Sequence, residues 1–387
     1  MEPSVSFTHS HDGTTHSHQV VIPDGPSPRL HLHGTVLPDG EPRDLWIVDG
    51  RFSFTPVPDA VTVHVGGWIL PGLVDAHCHV GLEAHGGVPS ERAEQHAVAD
   101  REAGALLLRD AGSPVDTRWI DEREDLPEII RAGRHIARPK RYIRNFAEEV
   151  EPEELVAEVV TQAQRGDGWV KLVGDWIDRD TGDLTPLWPQ AVAAEAIAAA
   201  HEHGARVTAH CFDEHSAEQL VAAGIDGIEH GSGLNDATIA AMAERGVALV
   251  PTLINIENFP KFAAAGEGKF PAYAAHMRAM YGARKETYGK ALDAGVPIYA
   301  GTDAGGVLPH GLIGRELLAL AEIGGAEFAL GAGSWRAREW LGRPALVEGA
   351  QADLVVYDTD PLADITTVLH PALIILRGHI VGGARVR

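Results

Sequence analysis

The chain has 387 residues, 44% of them hydrophobic, which is more than one barrel of ~250 residues requires and leaves material for a second, smaller domain. Its 55 acidic and 32 basic residues give a formal charge of −23, which repels polyanions and anionic lipid and so excludes nucleic acid and membrane surfaces as expected partners. Two cysteines, Cys78 and Cys211, stand in no Cys-x-x-Cys spacing, so neither a disulfide framework nor a structural zinc knuckle is supported. With no secretory apolar region and no run long enough to span a bilayer, a cytoplasmic enzyme is the default expectation.

Residues 1–24 are polar and rich in His, Ser, Thr and Gly, including His9, His11, His16 and His18. They show no hydrophobic periodicity, and a disordered tail is expected. A metal-capturing tract is the lesser reading, because mobile histidines lack a fixed geometry. Short β-rich runs follow at 30–32, 45–48 ahead of Asp49-Gly50, 51–54 and 61–65. From 71 to 343 the pattern becomes strand then helix, with apolar runs at 70–77, 105–109, 169–173, 206–210, 224–230, 247–252 and 297–303. An eighth strand belongs near 133–138. Helical patterns are clearest at 189–203 and 236–245, each followed by Gly as a stop. Strand texture returns at 352–357, 373–376 and 379–381, with Gly378 at a turn. The expected architecture is α/β: a (β/α)8 TIM-like barrel over 71–343, with a small β-sandwich domain formed from both chain ends, 25–70 and 344–387. No Gly-x-Gly-x-x-Gly opens a helix after the first strand, which argues against a dinucleotide-binding sheet.

In such barrels the carboxyl ends of the strands carry the chemistry. His77 and His79 are two apart, so on an extended strand both face the same way and can share one metal. Cys78 between them faces the helix layer and reads as packing. His210, His230 and Asp303 each end a predicted strand of their own. One such histidine means little, but the set together points to a divalent metal site. Lys171, inside 169–173, has two readings. An ammonium would be repelled by a divalent cation, whereas a carbamate formed on it with CO2 offers two oxygens that bridge a metal pair. In the other reading the lysine pairs with Asp303 or Asp175 inside a mononuclear site.

With these residues in place the chain resembles the amidohydrolase superfamily, in its imidazolonepropionase-like and Xaa-Pro dipeptidase-like branch. The resemblance rests on Pro71 through His79, Val170-Lys171-Leu172, Ala209-His210, Ile228-Glu229-His230-Gly231, Pro251-Thr252-Leu253 and Gly301-Thr302-Asp303-Ala304-Gly305. It implies that His77, His79 and Asp303 hold a buried metal and His210 and His230 an exposed one, with Lys171 carboxylated between them. Two zinc ions are implied first, with Mn, Fe or Co as alternatives. The segment 141–146, Arg-Tyr-Ile-Arg-Asn-Phe, departs from the Gly-Gly-His-Gly stretch common in relatives. Residues 333–337 depart from the usual Ala-Thr region and read as packing.

The resulting expectation is hydrolysis of an amide in a small acylated amino acid, dipeptide or cyclic amide. A metal-bridging hydroxide attacks the carbonyl, and Asp303 moves the proton to the leaving nitrogen. Tyr142 and Arg144 are candidates to hold a substrate carboxylate, with a surface role as the alternative. His310 is a candidate substrate contact on the last loop, with loop packing as its alternative. Rival functions are an esterase, lactonase or phosphotriesterase on the same ligands, a mononuclear deaminase or cyclic-amide hydrolase, and a non-catalytic scaffold. The expected partner is a small-molecule substrate; a homo-oligomer is left open, since the oligomeric state is not legible.

Overall fold

The computed structural model describes residues 28–343 and 346–383, and the backbone course of 4–11 and 14–21. Ser4–His11 and Thr14–Val21 pair as an antiparallel ribbon, Ser4 opposite Val21 and His11 opposite Thr14, where a disordered tail was expected. Val5, Phe7 and Thr8 along the first strand and Thr14, Thr15, Val20 and Val21 along the second supply strand propensity. The side chains of His9, His11, His16 and His18, the proposed metal-capturing tract, lie outside the described residues.

Seven strands form one sheet in the order His379–Gly382, Leu373–Leu376, Leu354–Tyr357, Val61–Pro71, Leu30–Val36, Glu41–Val48 and Arg51–Ser53. The long Val61–Pro71 strand joins the chain ends: it runs antiparallel to Leu354–Tyr357 and parallel to Leu30–Val36. The short Arg51–Ser53 strand returns to the C-terminal half, Phe52 N donating to Ala350 O at 2.9 Å and Ala352 N to Gly50 O at 2.8 Å. The expected sandwich is therefore a single sheet curled round its own core, which includes Leu32, Ile47, Phe52, Ile69, Leu354 and Ile375.

The middle of the chain is a TIM-barrel-like α/β arrangement. One arc runs Glu128–Arg131, Ala105–Asp110, Leu73–Glu83, Ala304–Gly306. The other runs Glu148–Glu149, Ile136–Ala137, Trp169–Val173, Arg206–Cys211, Gly227–His230, Ala248–Val250. Neighbouring strands in both arcs are parallel. Residues 297–303 lie between the arcs, with Tyr299 N donating to Leu249 O at 3.0 Å on one side and Ala76 N to Ala300 O at 2.9 Å on the other. At the opposite join the strand expected near 133–138 is observed only as Ile136–Ala137, and Glu128–Arg131, ahead of it in the chain, is a strand that was not expected. Helices follow the strands. The expected 189–203 and 236–245 are observed as Gln190–Glu202 and Asp236–Arg245, the latter capped by Asn235 and stopped by Gly246 at φ 69°. Among the described residues no helix is long and apolar enough to cross a membrane.

A cation–aromatic layer closes the interior at the amino ends of the strands. Trp169 and Arg206 each begin a strand, and the Arg206 guanidinium lies 4.1 Å from the Trp169 ring centre. Arg109 lies 4.6 Å from the same ring, and Trp340 stacks on Tyr299 at 4.2 Å. Trp169 is 1% exposed, and its removal leaves a cavity that a close-packed interior cannot refill. Trp169→Ala is expected to cost about 3–5 kcal/mol, read as a lower denaturant midpoint. An unchanged midpoint would mean that this layer contributes nothing to stability.

Candidate metal centre

His77 and His79 lie near the middle of the Leu73–Glu83 strand, and Asp303 follows the 297–302 run that pairs with it. His77 Nε2, His79 Nε2 and Asp303 Oδ1 form a triangle with every edge 3.2 Å. The other ring nitrogens are spoken for: His79 Nδ1 lies 2.7 Å from the Gly112 carbonyl and His77 Nδ1 2.7 Å from Glu229 Oε2. Both partners are acceptors only, so each Nδ1 carries the hydrogen and each Nε2 presents a lone pair. Two lone pairs and a carboxylate oxygen therefore aim at one point. Donors arranged tetrahedrally about a zinc at ~2.0 Å would stand ~3.3 Å apart, so the residues present fit a divalent metal. Burial and Lys171 lower the His77 pKa, but Glu229 and Asp303 outweigh them and raise it. The surroundings thus favour positive charge at this point.

The remaining ligand-type residues adjoin the triangle. The His230 ring centre is 5.2 Å from that of His77 and 4.7 Å from that of His210. His230 Nδ1 lies 2.7 Å from the Thr252 hydroxyl. Burial takes the His230 pKa down to about 3 and holds His210 well below the usual imidazole range, so both rings are neutral, as metal ligands must be. His210 Nε2 lacks a hydrogen-bond partner among the described residues and lies 3.9 Å from Asp175 Oδ1, which also lacks one. Lys171 is 2% exposed, and burial, against Glu229 and Asp303, takes its amine down to about 8. Its charge lowers the pKa values of His135, His210 and His230 and opposes the upward shift of His77. His230, Thr252 and Asp303, at three successive strand ends, have φ of 66°, 48° and 58°. Such left-handed backbone is costly for these residue types and is typical of functional sites.

Several contributors escaped the sequence reading. Asp75 accepts hydrogen bonds from His77 N at 3.1 Å, Thr302 N at 3.0 Å and the Thr302 hydroxyl at 2.5 Å, tying the first and last strands together beneath the triangle. Gly301 permits that approach, since a Cβ there would lie 2.7 Å from His77 N. Asn255 Nδ2 donates to Asp303 Oδ2 at 2.6 Å. His135 is 1% exposed, its ring 5.3 Å from His79 and 5.5 Å from Tyr142, and neither nitrogen has a hydrogen-bond partner among the described residues. Its only sequence signal was its place inside the strand expected near 133–138.

Of the three substrate-contact candidates, the structure brings Tyr142 alone to the histidines. Its ring is 5.8 Å from His210 and 4.8 Å from Trp176, and burial, then Asp303 and Asp175, raise the pKa of its hydroxyl. Arg144 is exposed. The neighbouring Arg141 turns inward instead, bonding Asp178 at 2.9 Å, the Trp176 carbonyl at 3.0 Å and Thr185 Oγ1 at 2.7 Å. His310 bonds Asp100 at 2.8 Å and stacks on His96 at 4.3 Å. With Gly311 N donating to Asp100 Oδ1 at 2.8 Å, it anchors the loop after Asp303 to the Ser90–Glu102 helix, which is the loop-packing alternative.

The model of the amidohydrolase family matches residues 68–381. An uncharacterized protein of Mycobacterium tuberculosis is 59% identical over 356 residues, 92% of this chain and 96% of that protein. Ochratoxinase of Aspergillus niger is 29% identical over 229 residues, 57% of this chain and 46% of that protein. Its crystal structure superposes with a TM-score of 0.76, covering 93% of this chain and 97% of that one at 20% identity. A prolidase solved with N-methylphosphonate-L-proline superposes with a TM-score of 0.78 at 24% identity, covering 92% and 100%.

The His310 anchor makes a pH-dependent prediction. Burial lowers the His310 pKa, but Asp100 outweighs it and the net shift is upward. A raised imidazole pKa contributes stability that is fully present below the free value of ~6.5 and fades as pH climbs through the folded value. His310→Ala should therefore lower Tm more at about pH 6 than at about pH 9. An equal loss at both would show that the contact is uncharged.

Proposed function

The chain belongs to the amidohydrolase family and is an enzyme, and from that premise we propose that it hydrolyses an amide C–N bond in a small substrate at a pair of divalent metals. The observation that carries this is the 3.2 Å triangle of His77 Nε2, His79 Nε2 and Asp303 Oδ1, whose donors have no other occupant suited to them than a cation. His77, His79 and Asp303 would hold one ion and His210 and His230 a second, with Lys171, as a carbamate, as a further ligand. A buried amine at about 8 is far more often neutral than a free lysine, and the neutral amine is the form that combines with CO2. The imidazole-rich set suits zinc first, with Mn, Fe or Co as alternatives. We read 73–83, 105–110, 128–137 taken as one interrupted strand, 169–173, 206–211, 227–230, 248–250 and 297–303 as one closed eight-stranded barrel over 71–343, with 25–70 and 344–387 as a separate composite β domain.

Divalent ions at such a site supply a water acidified to near-neutral pKa and a Lewis acid for the carbonyl. Asp303, with Oδ1 toward the triangle and Oδ2 held by Asn255, takes the proton from the attacking water and delivers it to the leaving nitrogen. His135, its ring 5.3 Å from that of His79, and Tyr142, its ring 5.5 Å from that of His135, are our candidates to donate to the carbonyl oxygen as charge develops there. Trp176 and Phe212 flank His210 at 5.7 and 4.3 Å, a wall suited to an apolar substrate group. N-acyl amino acids with apolar acyl groups, dipeptides and cyclic amides are therefore the first substrates to assay, with carboxylic and phosphate esters as comparisons.

Protein purified without chelator should carry close to two metals per chain by elemental analysis, and a firm value of one with full activity would sink the bridging lysine. Lys171→Ala should lose metal and turnover together, with partial recovery on adding metal and a short carboxylic acid. Asp303→Asn is nearly isosteric and should lower turnover by roughly 10²–10⁴ if proton transfer is its main task. Wild-type turnover in that variant would remove Asp303 from the mechanism.

A further inference from the structure

We propose that Glu229, tied to Arg109, is a positioning residue that fixes His77 in its metal-binding tautomer and thereby sets the affinity of the buried metal position. The inference rests on the metal-centre reading above. Glu229 is fully buried and both its oxygens are used. Oε2 lies 2.7 Å from His77 Nδ1, while Oε1 accepts from Arg109 Nη2 at 2.5 Å and from the Thr208 hydroxyl. A carboxylate in that setting can only accept, so it holds the His77 hydrogen on Nδ1 and leaves Nε2 bare toward His79 and Asp303.

Arg109 is what allows a carboxylate to stand there. It is fully buried, donates from Nε to the Ala76 carbonyl at 2.7 Å, and packs over Trp169 and Trp340. A guanidinium does not give up its proton in proteins, so it cancels the Glu229 charge where water cannot. The backbone makes room for this arrangement. Neighbours on a strand normally point to opposite faces, yet Glu229 reaches His77 and the ring of His230, the next residue, lies 5.2 Å from that of His77. The left-handed φ of 66° at His230 breaks the alternation, so one strand end supplies both a candidate ligand and the residue that orients another.

Glu229→Gln keeps the volume but cannot serve His77 and Arg109 as two acceptors. Chelator competition on the metal-loaded protein is expected to show metal bound roughly 10–100-fold more weakly in the variant, with one of the two ions lost ahead of the other. Equal affinity in wild type and variant would overturn the proposal, whereas a wild-type protein that binds no metal would overturn the metal-centre reading instead. Neutron diffraction from crystals of the wild-type metal-loaded enzyme decides the tautomer even if the variant does not fold. A hydrogen on His77 Nδ1, shared with Glu229, is expected, and a hydrogen on Nε2 would overturn the proposal.

Discussion

Lone pairs aimed at one point repel unless positive charge lies between them, and this constraint organises the middle of the molecule. The two Nε2 atoms and the Asp303 oxygen cannot relax apart, because every group behind them is held: His77 by Glu229, His79 by the Gly112 carbonyl, and Asp303 by Asn255. Low-dielectric surroundings strengthen each of those hydrogen bonds and make any unpaired alternative costly. The arrangement is preorganised for a cation, so little rearrangement is needed when one binds.

Stability and chemistry occupy different levels of the strand layer. At the amino ends, Trp169, Arg206, Trp340 and Tyr299 pack without any titrating partner of the site. At the carboxyl ends three backbone positions are strained, and buried nitrogens of His135 and His210 lack hydrogen-bond partners among the described residues. Arg109 spans the two levels, with its guanidinium over the aromatic rings and one nitrogen on Glu229. Strain and unsatisfied polar atoms above are tolerable because the packing below over-determines the strands.

Much of this was legible in the sequence because period-two spacing and strand ends are local signals. His77 and His79 had to share a face, and the apolar runs ending in His210, His230 and Asp303 became the strands and strand ends observed. What the sequence hid depends on contacts between distant residues. Nothing local marks Asp75 as the partner of Thr302, or Glu229 as the partner of His77. Nor does anything local separate Arg141, which turns inward, from Arg144, which stays exposed. The long Pro271–Asp293 helix was missed because Ala and Gly on its exposed side blur the polar stripe, although its buried Tyr273, Met277, Met280 and Tyr288 keep helical spacing. The N-terminal ribbon was missed because Val5, Phe7, Val20 and Val21 are too few among Ser, Thr and His to mark two strands.

The seam between the first and last strands explains why the candidate centre stands where it does. Residues 297–303 pair with Leu73–Glu83 through few backbone bonds, chiefly Ala76 N to Ala300 O at 2.9 Å and Asp303 N to His77 O at 2.7 Å. Asp75 adds side-chain bonds to Thr302 across the same line. The first strand is also pinned from below, where the Ser334 hydroxyl donates to Pro71 O at 2.8 Å and Arg338 Nε to Gly72 O at 2.6 Å. A cation shared by His77, His79 and Asp303, as we propose, would cross-link both sides of this seam. Its binding energy then appears as stability of the closed form, growing as RT ln(1 + [L]/Kd). An ion held by those three residues would thus tie the first and last strands together as well as serve the proposed chemistry.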